Sequence, residues 1–157
     1  MSAEVAALRR ALLESHGAAT GQLIPVQRDG WLVAERRSPT CGDAFTFSAA
    51  IDSSGRVTAV EWWGRGCTIS TASADLIAEI AIGLSAEQMS DALAILNEVM
   101  EAAPDADVTS SIGALRRLGA GEAVQDIEAL CGVARYPLRA GCARLAWQVL
   151  EDALDQA

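Results

Sequence analysis

The sequence predicts an α+β fold, a small antiparallel β-sheet with helices packed on one face, and three observations support this. Strand-like alternation is confined to the first half of the chain, helical spacing fills the second, and the clearest strand pair is separated by a short turn. Strands followed by helices, rather than alternating with them, give segregated layers. With 157 residues, 51% of them hydrophobic, the chain is long enough to bury a core of its own and is expected to form one domain, 1–157.

In chain order, Ala3 to Glu14 carries Val5, Leu8, Leu12 and Leu13 at helical spacing, so a first amphipathic helix is expected there. Residues Gly17 to Gly30 mix Gly, Pro, Thr and Asp and read as irregular. Trp31-Leu-Val and the turn SPTCGD (38–43) precede a strand over Phe45 to Ile51, a turn at Asp52-Ser-Ser-Gly55 and a returning strand over Val57 to Trp63, which together make a hairpin. After the turn Gly64-Arg-Gly-Cys-Thr68, apolar spacing from Ile69 to Ile82 predicts a helix, and Ser85-Ala-Glu-Gln88 is a capping box opening a second one to about Met100. Ala103 to Thr109 reads as a loop. Short helices are expected over Ser111 to Leu118 and Glu122 to Leu130, a break at Arg135-Tyr-Pro-Leu-Arg139, and a closing helix from Ala143 to Ala153.

The formal net charge of −9 opposes contact with phosphate backbones, because nucleic-acid affinity comes largely from cationic side chains displacing counterions. No apolar run approaches the roughly 18 residues of a membrane span, and no secretory signal pattern opens the chain. The expected location is therefore the cytoplasm, with neither nucleic acid nor membrane as partner. Thiols stay reduced there, so the four cysteines read as ligands, nucleophiles or small core residues rather than disulfides.

Three of those cysteines share a setting. Cys41 lies between Pro39 and Gly42, Cys67 follows Gly64-Arg-Gly66, and Cys142 follows Gly141, so each stands where the backbone is expected to turn. Cys67 and Cys142 also fall at expected helix starts, where free N–H groups favour a thiolate. Asp43 adds a hard oxygen beside Cys41, and three thiolates with one carboxylate can close a tetrahedron around Zn²⁺. Arg139 is placed to offset the excess negative charge. By spacing alone this is a weak signal, since the donors are far apart in sequence. Cys131 reads as an inert core residue; Trp62 and Trp63, on opposite faces of a strand, read as packing.

The motifs themselves say more. "SPTCGD", "GRGCTISTASADLIAE" and "DIEALCGVARYPLRAGCARLAWQVLEDAL" resemble the three signature blocks of the IscU/NifU-N family of iron-sulfur cluster assembly proteins, and are most similar to its SufU branch. The resemblance covers about half the chain in the right order, and the extra residues from about Glu98 to Gly121 are similar to the insertion that sets SufU apart. It implies the SufE/NifU-like fold, metal ligands Cys41, Asp43, Cys67 and Cys142, and Arg139 as a neighbour of the site. Gly141 stands where IscU-type members carry a histidine. The family's N-terminal motif is reduced here to "ESHGAATG", which keeps His16 but not the aspartate, proline or asparagine.

What the resemblance implies is a zinc-dependent sulfur-transfer protein, a sulfurtransferase-type acceptor rather than a stand-alone enzyme. It would take persulfide sulfur on Cys41 from a PLP-dependent, SufS-like cysteine desulfurase and pass it to downstream cluster-assembly proteins or apo-proteins. Cys41 is the expected acceptor because a turn lets it swing. The alternative is a scaffold that assembles and transfers a transient [2Fe-2S] cluster on the same four ligands. A third reading is a small domain whose fold merely needs zinc.

Overall fold

The computed structural model describes residues 28–103, 105–119, 123–134 and 137–157. The expected helix from Ala3 to Glu14, His16 and the "ESHGAATG" segment lie outside the described residues. Among those described, three strands form one antiparallel sheet in the order β1 (Leu32–Arg37), β2 (Ala44–Ile51), β3 (Val57–Arg65). Five helices follow: α1 (Thr68–Ala81), α2 (Ala86–Glu101), α3 (Thr109–Leu118), α4 (Ala123–Ala134) and α5 (Pro137–Leu154). The α+β architecture matches the sequence expectation. None of the described helices is long and apolar enough to cross a membrane.

The hairpin of β2 and β3 is as expected, and alternation explains its two faces. Phe45, Phe47 and Ala49 point from β2 into the core, and Trp62, opposite Phe47 on β3, lies with its ring 5.8 Å from that of Phe45 and 6.4 Å from that of Phe47. Trp63 points to the other face, where it borders a cleft of about 410 Å³ with Thr46, Glu35, Arg37 and Arg65. The sequence did not single out β1, which pairs Leu32 to Arg37 with Ala49 to Ala44. This edge strand is tied to α5 by the Arg36–Asp152 ion pair at 2.6 Å and to the residues after it by the Gln156 side-chain amide, which donates to the Val33 carbonyl at 2.7 Å.

Helix α1 is the centre of the helical layer, burying Ile69, Leu76, Ile77 and Ile80. After it, Val57 of β3 exchanges backbone hydrogen bonds with Gly83 and Leu84, fixing how the helix leaves the sheet. The expected capping box opens α2: the Gln88 N–H donates to the Ser85 hydroxyl at 3.1 Å while the Ser85 N–H donates to the Gln88 side chain at 3.0 Å. Cys131 is buried among the core residues, as the sequence suggested.

One expectation is overturned in part. The helices do part within Arg135-Tyr-Pro-Leu-Arg139, α4 ending at Ala134, but the closing helix, expected from Ala143, begins at Pro137 itself. Proline fits the first helical position because its missing N–H would be unpaired there anyway. Cys142 therefore lies in the second turn of a helix, not at its start.

The β2–β3 turn carries an acid-sensitive contact. Asp52 accepts from the Ser54 hydroxyl at 2.7 Å, the Ser54 N–H at 2.8 Å and the Arg56 N–H at 3.0 Å, and these bonds, that of the Ser54 hydroxyl foremost, hold its carboxyl below the usual carboxylate range. A depressed pKa stabilises the fold above the unfolded-state value and is lost as pH falls through the folded one. Asp52→Asn should lower stability at pH 7, where wild type has the full contribution, and should lose less than wild type between about pH 4 and pH 2, so that the two stability curves, followed by urea unfolding at each pH, converge in acid.

Candidate metal centre

Two tight turns and one helix start bring the donors to one end of the sheet. The loop from Ser38 to Asp43 is closed by the Ser38 N–H, which donates to the Asp43 carbonyl at 2.7 Å. The Ser38 hydroxyl accepts from the Thr40 N–H at 3.3 Å and the Cys41 N–H at 3.4 Å. Gly42, at φ +74°, supplies the left-handed residue that sends Cys41 outward and Asp43 inward. Cys41 is exposed; Asp43 is buried to 8% exposure.

Cys67 caps the N-terminus of α1, its sulfur accepting from the Ser70 N–H at 3.5 Å. Gly66, just before it, must be a glycine: a β-carbon there would lie 2.8 Å from Ser70 Cβ, 2.9 Å from the Phe45 ring and 3.2 Å from the Asp43 carboxyl carbon. Cys142 approaches from α5. The Ser73 hydroxyl, on α1, donates to the Ala143 carbonyl at 2.8 Å in the buried interface and so pins the two helices together next to it.

Asp43, Cys67 and Cys142 offer donor atoms that all lie within 4.8 Å of one another. Ligands at the usual 2.0–2.3 Å from a tetrahedral zinc sit about 3.5 Å apart, so a closure of about 1 Å would bring these donors to bonding distance. Cys41 falls outside this group of three. It faces Cys142 across a cleft of about 550 Å³ between the Ser38–Cys41 loop and the α5 surface formed by Gly141, Arg144, Leu145 and Gln148.

The electrostatics ask for a cation. Burial, followed by the charges of Cys67, Cys41 and Asp43 and the hydrogen bond to Cys67, pushes the Cys142 thiol up to about 11. Burial also works against a Cys67 thiolate, but it is outweighed by hydrogen bonds from the Ser70 hydroxyl and N–H, the Ile69 N–H and Cys142, leaving this thiol below its ordinary value. The helix-start argument thus holds for Cys67 and fails for Cys142. Arg139 lies exposed one turn before Cys142, and no hydrogen bond or ion pair joins it to a described residue. Two soft sulfurs, a carboxylate and a third thiol across the cleft are a donor set that fits Zn²⁺.

Sequence reasoning missed Ser70. It is fully buried, and its hydroxyl donates to the Asp43 carboxylate at 2.6 Å while lying 3.2 Å from the Cys67 sulfur. The available signal was a polar side chain at a core position of an otherwise apolar helix face.

Comparison with known proteins agrees with this geometry. The NifU-like N-terminal domain pattern matches residues 16–129. The chain is 32% identical over 131 residues to the iron-sulfur cluster assembly scaffold protein IscU of Streptococcus pyogenes serotype M1, covering 83% of this chain and 74% of the relative. It is 31% identical over 120 residues to the zinc-dependent sulfurtransferase SufU of Bacillus subtilis strain 168, covering 76% and 72%. The crystal structure of FiSufU from Fervidobacterium islandicum AW-1 superposes with a TM-score of 0.64 at 22% identity, covering 91% of this chain and 93% of that one, and shares its fold. A three-stranded sheet, a Cys/Asp/Cys group at its end and a sequence match over most of the chain lead to one conclusion: the protein belongs to the NifU-like N-terminal domain family, together with the IscU and SufU proteins.

Proposed function

We propose that the chain is a zinc-dependent sulfur acceptor in iron-sulfur cluster biogenesis, a single domain working in the cytoplasm and taking persulfide sulfur on Cys41 from a PLP-dependent, SufS-like cysteine desulfurase. The observation that carries this is the division of the donors: Asp43, Cys67 and Cys142 cluster, while Cys41 stands exposed across the cleft. The 31% identity to a zinc-dependent sulfurtransferase supports it. Arg139, exposed near the rim, is placed to meet an anionic group on the partner.

Zinc bound by Asp43, Cys67 and Cys142, with Cys41 completing the set, would supply the positive charge that keeps these sulfurs ionised. Asp43 is buried, and Cys67 and Cys142, exposed and half-buried, keep their places because α1 and α5 pack in the core. Cys41 moves, because its loop is held mainly by weak hydrogen bonds to Ser38 and turns at Gly42. Its thiolate attacks the outer sulfur of the donor's persulfide; a new S–S bond forms on Cys41, the donor's S–S bond breaks, and the donor sulfur leaves as a thiolate. The cleft beside Cys41 gives the incoming sulfur room. The loaded sulfur then passes to downstream cluster-assembly proteins or apo-proteins.

A second reading is a scaffold for a transient [2Fe-2S] cluster on the same ligands, favoured by the 32% identity to a relative named for that role. One experiment separates the two. Alanine release from cysteine by the organism's own desulfurase should rise several-fold when the zinc-loaded protein is added. If a folded, zinc-loaded sample gives no rise, while anaerobic loading with iron and sulfide yields a chromophore that activates an apo-protein, the scaffold reading replaces the first.

A further inference from the structure

The Ser70 hydroxyl has one proton and two neighbours that could take it, the Asp43 carboxylate at 2.6 Å and the Cys67 sulfur at 3.2 Å. The shorter contact has the length of a charge-assisted O–H···O⁻ bond, roughly 2.5–2.7 Å, so the proton belongs to Asp43. Cys67 is left with other donors, because the Ser70 and Ile69 N–H groups also donate to its sulfur.

The surroundings leave this pair little freedom. Ser70 sits in the first turn of α1 with no exposed surface. The place a β-carbon at Gly66 would occupy lies within 2.8 Å of Ser70 Cβ, 2.9 Å of the Phe45 ring and 3.2 Å of the Asp43 carboxyl carbon, so hydroxyl and carboxylate are packed around one point. Among the described residues, only one of the two carboxylate oxygens is engaged. The other is the one left for a metal.

We propose that Ser70 is the positioning residue of the metal centre: by clamping one Asp43 oxygen, its hydroxyl makes Asp43 a one-oxygen ligand that stays in place while a thiolate exchanges. The clamp itself follows from the geometry; its part in exchange rests on the sulfur-acceptor reading above. A free carboxylate at this site could turn, bind through both oxygens or let go. With Ser70 in place, the mobile ligand is Cys41.

The test uses Co²⁺ as a spectroscopic stand-in for Zn²⁺, in wild type, Ser70→Ala, Asp43→Ala and the double variant, with metal release to a chelator and the visible Co²⁺ spectrum as readouts. No desulfurase is present, so failure here and failure of the sulfur-acceptor reading are separate results. Outer hydrogen-bond partners of metal ligands typically carry about 10–100-fold in metal affinity. Ser70→Ala should accordingly speed Co²⁺ release by about tenfold or more and shift the visible bands, and should change release by less than about twofold in the Asp43→Ala background. The same acceleration in both backgrounds, or none in the first, overturns the proposal. A crystal structure of the zinc-loaded wild type decides the matter even if the variants fold or bind poorly. One Asp43 oxygen on Ser70 and the other on zinc supports the clamp; both oxygens on zinc, or a Ser70 hydroxyl turned to Cys67, overturns it.

Discussion

Cys41→Ala is expected to leave the domain folded and to abolish sulfur acceptance. Cys41 is exposed and buries nothing in the core, and its loop is held through the backbone N–H that alanine retains. Surface substitutions of this kind change stability by about 0.5 kcal/mol or less. Acceptance needs the sulfur itself, so the several-fold desulfurase stimulation should disappear, leaving the rate of the desulfurase alone. Metal should remain on Asp43, Cys67 and Cys142. Thermal unfolding of the zinc-loaded variant and alanine release measured on the same sample check both halves. A domain whose fold merely needs zinc predicts the reverse order of effects: unfolding with loss of the ligand, and no reactive thiol while metal is bound.

Gly64→Ala is expected to be the most damaging single methyl group near the site. Gly64 has φ +151°, and a β-carbon there would lie 2.1 Å from the Ala44 carbonyl oxygen and 2.9 Å from Phe45 Cα. Both obstacles are backbone of the paired strand, so neither can move without breaking the β2–β3 ladder. The expected cost is more than about 3 kcal/mol, read from the urea midpoint, and metal affinity should fall as well because Asp43 adjoins the displaced Ala44. Gly42→Ala is the control. Gly42 also has a left-handed φ, +74°, but nothing lies within 4 Å of its β-carbon, so the cost should be only the conformational one, about 1–2 kcal/mol.

How much of this the sequence showed depended on whether the signal was local. The Ser85/Gln88 capping box and the β2–β3 hairpin could be read because cap, turn and alternation each lie within a few residues. Strand β1 could not, because it is an edge strand whose last three residues, Glu35, Arg36 and Arg37, are exposed and show no alternation. Pro137 was misread because proline both ends and begins helices, and only the α1–α5 packing decides which. That one error moved Cys142 from a helix start into a helix and reversed the direction expected for its thiol, which burial and neighbouring charge raise to about 11.

The site divides in the same way. Cys67 as an N-cap was legible from the turn before it. The gathering of positions 43, 67 and 142 was not, since it depends on how α5 packs against α1, and only the motif resemblance pointed to it. Ser70 stood within a quoted motif and was passed over because the polar character of a core residue means nothing until its partner is known. Arg139 was expected to balance charge near the site, and it lies exposed one turn before Cys142.

Sulfur acceptance at Cys41 can be read by peptide mass mapping of the zinc-loaded protein after brief incubation with the desulfurase and cysteine, quenched by alkylation. One added sulfur atom is expected on the peptide carrying Cys41, and none on those carrying Cys67, Cys131 or Cys142. Added sulfur on Cys67 or Cys142 with Cys41 unmodified, or none on any cysteine while the desulfurase turns over, would contradict acceptance at Cys41.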